Sequence, residues 1–124
     1  MLYAAAMDER ITAVVASEPA IGLGFAHNFA NYDDYWYFGD FINNRDKSTD
    51  QHELLAMIAP RPFLLIGGDE ADTDKSWYYI NAAREVYSLF GKPENIGYFN
   101  HHRGHAPTAE SNRLSIEWLK HFLR

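Results

Sequence analysis

"RPFLLIGGDEADTDKSWYYINAAREVYSLFGKPENIGYFN", residues 61 to 100, carries a full alternation of element types. "RPFLLIGG" is a short apolar run without polar interruptions, the pattern of a strand covered on both faces. "DEADTDK" after it is an acidic loop. Ser76 through Phe90 then repeats apolar residues at i, i+3 and i+4 spacing (Ile80, Ala83, Tyr87, Phe90), and Gly91 is placed as the stop. "NIGYFN" closes the stretch as a second short strand. Strand, helix, strand in that order predicts a parallel sheet.

Working outward, the same grammar continues. Residues 11 to 17, "ITAVVAS", form another β-branched apolar run ended by Glu18 and Pro19. "STDQHELLAMIA", residues 48 to 59, reads as a helix: Ser48, Thr49 or Asp50 can cap it, Asp50 with Glu53 forms a capping-box pattern, and Pro60 stops it. At the start, "MLYAAAMDER" has the composition of a helix tail with no capping residue before it. "TAESNRLSIEWLKHFLR" at the other end is an amphipathic helix with Leu114, Trp118 and Phe122 on one stripe and Ile116, Leu119 and Leu123 beside it. The expected fold class is therefore α/β, a parallel sheet flanked by helices on both faces. Residues 1–124 are expected to form a single, partial domain of this kind, interrupted at about 21–49 by an aromatic-rich insertion, "IGLGFAHNFANYDDYWYFGDFINNRDKST".

Composition narrows the partners. The 124 residues suit one core that buries roughly two thirds of the unfolded surface. Net charge is -6, with 17 acidic against 11 basic side chains and no two Lys/Arg adjacent, which argues against a nucleic-acid or anionic-membrane partner. No apolar run approaches the roughly 18 residues that span a bilayer, and the start lacks the basic n-region of a signal peptide. The absence of cysteine excludes disulfides and thiolate metal sites and leaves the compartment open.

In open parallel sheets, ligands bind beyond the carboxyl ends of the strands. Three polar features fall there: Glu18, the loop Asp69 to Asp74, and the histidine loop His101 to His105 in "FNHHRGHAP". Histidine is the usual general base near neutral pH, and a carboxylate on its Nδ1 fixes its tautomer. An acid and then a histidine, in chain order, is also the order of two members of a hydrolase triad. A metal site is the competing arrangement: His101, His102, His105 and an acid from the Asp69 to Asp74 loop could reach the ligand count of a catalytic zinc, although H-H-x-x-H in a loop is not a distinctive spacing. A third reading is a non-catalytic remnant or interaction module.

"DQHELLAMIAPRPFLLIGGDEADTDKSW", followed by "GYFNHHRGHAP", resembles the C-terminal part of serine-dependent α/β-hydrolases. The resemblance is to the esterases grouped with acetyl xylan esterases, glucuronoyl esterases and dienelactone-hydrolase-like proteins, and it spans nearly the whole chain. It implies that His105, preceded by Gly104, takes the catalytic base position, with His101 and His102 as solvated or neighbouring side chains. It offers two positions for the acid: Asp72, after the strand "RPFLLIGG", is the first choice, and Glu18, where some glucuronoyl esterases carry a glutamate, is the rival. Asp69, Glu70 and Asp74 would then form a solvated turn, one of them capping the following helix. Tyr35, Trp36 and Tyr37 would offer a flat face to a substrate. The implied substrate is a small-molecule or carbohydrate-linked carboxylic ester, with no cofactor.

In such esterases a G-x-S-x-G elbow precedes a helix similar to "LYAAAMDERI". Here Met1 stands where that helix is under way, and none of Ser17, Ser48, Ser76, Ser88, Ser111 or Ser115 lies in a G-x-S-x-G context. Loss of one triad member costs on the order of 10⁴ to 10⁶ in turnover, so little esterase activity is expected of the isolated chain.

Overall fold

The computed structural model describes residues 1–21 and 51–123. In chain order they form α1 (Leu2–Met7), β1 (Val14–Ser17), α2 (His52–Ile58), β2 (Phe63–Gly67), α3 (Ser76–Leu89), a 3₁₀ turn (Pro93–Asn95), β3 (Ile96–Asn100) and α4 (Ala109–Phe122). The three strands are parallel and lie in the order β1-β2-β3. Tyr35, Trp36 and Tyr37, and the expected caps Ser48, Thr49 and Asp50, lie outside the described residues.

Register explains the two faces. Val14 pairs with Phe63 and Phe63 with Ile96, so these three stand in one row. Two positions on, Ala16, Leu65 and Tyr98 point the same way, because side chains alternate along a strand. These residues pack with Leu2, Ala5 and Ala6 of α1, Leu55 and Ile58 of α2, and Tyr79, Ile80, Ala83 and Tyr87 of α3 as one core. The Tyr87 hydroxyl, carried into that core, donates to the Arg61 carbonyl at 2.8 Å.

The opposite face carries Leu64 and Ile66, both buried, and is covered by α4, which packs on β1 and β2. Gly97 in the middle of β3 makes room there: a Cβ on it would lie 3.4 Å from both Leu64 and the Trp118 ring. Thr108 caps α4. Its hydroxyl accepts from the Ser111 amide at 3.1 Å and the Ser111 hydroxyl accepts from the Thr108 amide at 2.8 Å, a capping box in which serine takes the place of Glu or Gln.

Several expectations shift at the edges. β1 begins at Val14 and not at Ile11, whose amide turns back to the Asp8 carbonyl at 3.2 Å. α3 ends at Leu89, and Phe90 stands outside the buried stripe with 57% of its surface exposed. On α4, Leu114, Trp118, Leu119 and Phe122 are half-buried, whereas Ile116 and Leu123 stay exposed. No aspartate or glutamate side chain caps α3; the amides of Ser76 and Trp77 bond instead to the carbonyls of Thr73 and Asp74.

Candidate active site

Parallel strands deliver their C-terminal ends to one edge, and Glu18, the loop 68–74 and the loop 101–105 meet there. Glu18 follows β1 directly. Its amide continues the ladder to the Ile66 carbonyl at 2.8 Å, after which a φ of 50° turns the chain. That turn carries its side chain under the neighbouring loop, where it is 0% exposed. The amides of Gly68 and Ala71 donate to its two oxygens, and the Asp72 amide approaches Oε2 at 3.4 Å. A buried carboxylate is tolerable only when it is solvated in this way by the protein itself.

The histidine loop is drawn onto the same spot by its glycines. The His101 amide donates to the Gly67 carbonyl at 3.0 Å and the Gly104 amide to the Gly68 carbonyl at 2.6 Å. A Cβ on Gly68 would lie 2.0 Å from the Gly104 carbonyl oxygen and 2.8 Å from the His101 ring. Only glycine fits there. Gly104 itself turns with a φ of +83°, and the next amide, that of His105, donates to Glu70 at 2.8 Å. The His105 ring ends with Nδ1 3.9 Å from Glu18 Oε2, its side chain 67% exposed. This is ion-pair distance, slightly long for a hydrogen bond.

Asp72 is placed differently. Fully buried, it accepts from the amides of Ala20 at 2.7 Å and Ile21 at 2.8 Å and from the Ser76 hydroxyl at 2.9 Å. Burial pushes its carboxyl up to about 6, against the pull of those three donors and with help from the nearby Glu18 charge. Of the two candidate acids, Glu18 is the one that meets His105, while Asp72 holds the backbone just after Glu18.

The remaining histidines separate. His101 is buried rather than solvated: Nδ1 accepts from the Arg103 amide at 3.2 Å, and Nε2 has no partner among the described residues. His102 is exposed, with Nδ1 2.6 Å from Asp69 Oδ2 and Nε2 3.8 Å from Asp74 Oδ1. The hydrogen bond that it donates to Asp69 raises its pKa, and Asp69 in turn is lowered, first by the Asn100 amide that donates to it. The alternative metal arrangement of His101, His102 and His105 with an acid of the Asp69 to Asp74 loop is therefore not assembled among the described residues, because the three rings face different partners. What converges instead is Asp69, Asp74 and His102. Next to them lies an open cavity of about 370 Å³ bordered by Asp74, Trp77, Tyr98, Asn100 and His102. Neither the cavity nor the anchoring by Glu70 was visible in the sequence, since both depend on pairings between loops more than 20 residues apart.

The chain matches no protein-family model and no curated protein. Among solved structures it is similar to a carbohydrate esterase family 15 glucuronoyl esterase from Caldicellulosiruptor kristjansonii, with 25% sequence identity and a TM-score of 0.77. The likeness covers 99% of this chain and 40% of that one, so the chain spans well under half of that esterase's length. With the parallel sheet between its helices, this places the chain in the α/β class with the fold of an α/β-hydrolase esterase's C-terminal part.

Proposed function

We propose that this chain supplies the general base and the acid of a serine-type carboxylic ester hydrolase, with His105 as base and Glu18 as acid. The observation that carries the reading is the His105–Glu18 pair at the C-terminal edge of the sheet, 3.9 Å apart with the carboxylate buried and the imidazole open. Glu18 on Nδ1 leaves Nε2 to take a hydroxyl proton from the nucleophile, and later to activate water against the acyl-enzyme. Buried and held by amides, Glu18 keeps its charge oriented toward the imidazolium that forms. No G-x-S-x-G stands among the 124 residues, so the reading assigns the nucleophile to a serine from other residues. The likeness to a glucuronoyl esterase makes a sugar-acid ester the first substrate to try.

The test uses the chain extended upstream in its own reading frame, assayed on a chromogenic acetate ester and on a methyl ester of glucuronic acid. His105→Ala is expected to lose on the order of 10⁴ in kcat. Glu18→Gln is expected to lower kcat by roughly 10² to 10⁴ with KM little changed. Undiminished turnover in His105→Ala would remove the base assignment. A full-rate Glu18→Gln beside an inactive, folded Asp72→Asn would move the acid to Asp72.

A further inference from the structure

Asp69, Asp74 and His102 each present one ligand atom, and these atoms lie within 4.8 Å of one another. They arrive from two separate segments, the loop after β2 and the loop after β3. All three side chains are partly open to solvent, at 44%, 78% and 54%. Asp69 Oδ2 sits 2.6 Å from Nδ1 of His102, which leaves Nε2 as the nitrogen turned toward Asp74 Oδ1, 3.8 Å away. Two ligands bound about 2 Å from one ion lie roughly 3.3 Å apart in tetrahedral geometry, so this gap closes with a small side-chain movement. A carboxylate on one imidazole nitrogen and an ion on the other is the usual way proteins orient a metal-binding histidine.

A cavity lies beside the cluster and shares two of its residues. His102 and Asp74 form part of its border, and Trp77, Tyr98 and Asn100 complete it. A volume of about 370 Å³ leaves space for the coordination positions that the protein does not fill. Trp77 is held in its wall by the Arg84 guanidinium, 4.8 Å from the ring centroid.

We infer that His102 Nε2 and Asp74 bind a divalent first-row transition cation at the mouth of this cavity, apart from the Glu18–His105 pair, with Asp69 on Nδ1 orienting the imidazole. An imidazole with a carboxylate suits Zn²⁺ or Mn²⁺ better than Mg²⁺ or Ca²⁺, which favour oxygen ligands alone. A bound ion ties the loop after β2 to the loop after β3. Those loops also hold the donors to Glu18 and carry His105, so occupancy stiffens the edge without taking part in proton transfer.

Calorimetric titration of the chain with ZnCl₂, and separately MnCl₂, tests the site without reference to ester hydrolysis. One saturable equivalent is expected, weakened at least about tenfold in His102→Gln and Asp74→Asn and about 10- to 100-fold in Asp69→Asn. His121→Gln, which removes an exposed histidine on α4, is expected to bind as the wild type does. Mn²⁺ is also expected to broaden the Trp77 indole N–H resonance in the wild type and not in His102→Gln. Circular dichroism establishes that each variant is folded. Wild-type affinity in folded His102→Gln, an equal loss in His121→Gln, or no saturable binding by the wild type would each overturn the assignment.

Discussion

Glu18 and Asp72 are both buried carboxylates, and each is satisfied by the backbone of the other's segment. Glu18 takes amides from Gly68, Ala71 and Asp72, and Asp72 takes those of Ala20 and Ile21. The result is a reciprocal clasp between residues 18–21 and 68–72, at the place where His105 is received. At Asp72 burial dominates and pushes the carboxyl up to about 6. An unfolded aspartate titrates near 3.9, so the folded chain holds the Asp72 proton more tightly. Its contribution to stability is thus fully present below about pH 4 and is lost as pH rises through about 6, a change on the order of a few kcal/mol. A carbon-detected NMR titration is expected to place the Asp72 midpoint near 6. A midpoint at or below 4 would show that the three donors outweigh burial. The sequence named both carboxylates and put Asp72 first; which of them lies near His105 depends on the turn at Glu18, which no local pattern encodes.

The elements most legible in the sequence were those whose pattern is local. β2, α3 and β3 lie close to where periodicity and punctuation put them, because an uninterrupted apolar run and a 3.6-residue stripe are each set within a few residues. What escaped was fixed by neighbours: the burial of His101, and the exposure of Ile116 and Leu123, depend on what another element covers. The two loops of the site meet through glycine, and two glycines of different kinds gauge how tightly. At Gly68 an added Cβ would strike the Gly104 carbonyl oxygen at 2.0 Å, and that backbone cannot retreat without breaking its 2.6 Å hydrogen bond. Gly68→Ala is therefore expected to cost at least about 3 kcal/mol in urea unfolding. At Gly91 nothing lies within 4 Å and only the φ of +69° resists a side chain, so Gly91→Ala is expected to cost about 1 kcal/mol. Equal losses would mean that the contact between the loops is not close-packed.

Among the described residues the helices are unevenly shared between the two faces of the sheet. Three of them seal one face into a continuous core, while α4 alone of these lies on the other, its apolar stripe half-buried. Stability on that second face is expected to rest on a few side chains. Trp118 lies against Gly97 and is paired with Phe122 at a ring separation of 4.7 Å. Trp118→Ala is expected to lower the unfolding free energy by about 2 to 4 kcal/mol, and Ile116→Ala by less than about 0.5 kcal/mol, as read by denaturant titration. Comparable effects of the two would show that α4 is not seated through Trp118. The non-glycine residues with left-handed backbone in the described structure are Glu18, Ala20, Asp69 and His102, and all lie along the edge where the strands end. Each such turn costs on the order of 1 to 2 kcal/mol. Backbone and side chain are therefore opposed at the rim: glycine would relieve the turns at Glu18, Asp69 and His102, and would at the same stroke remove the carboxylates and the imidazole that hold the loops to one another.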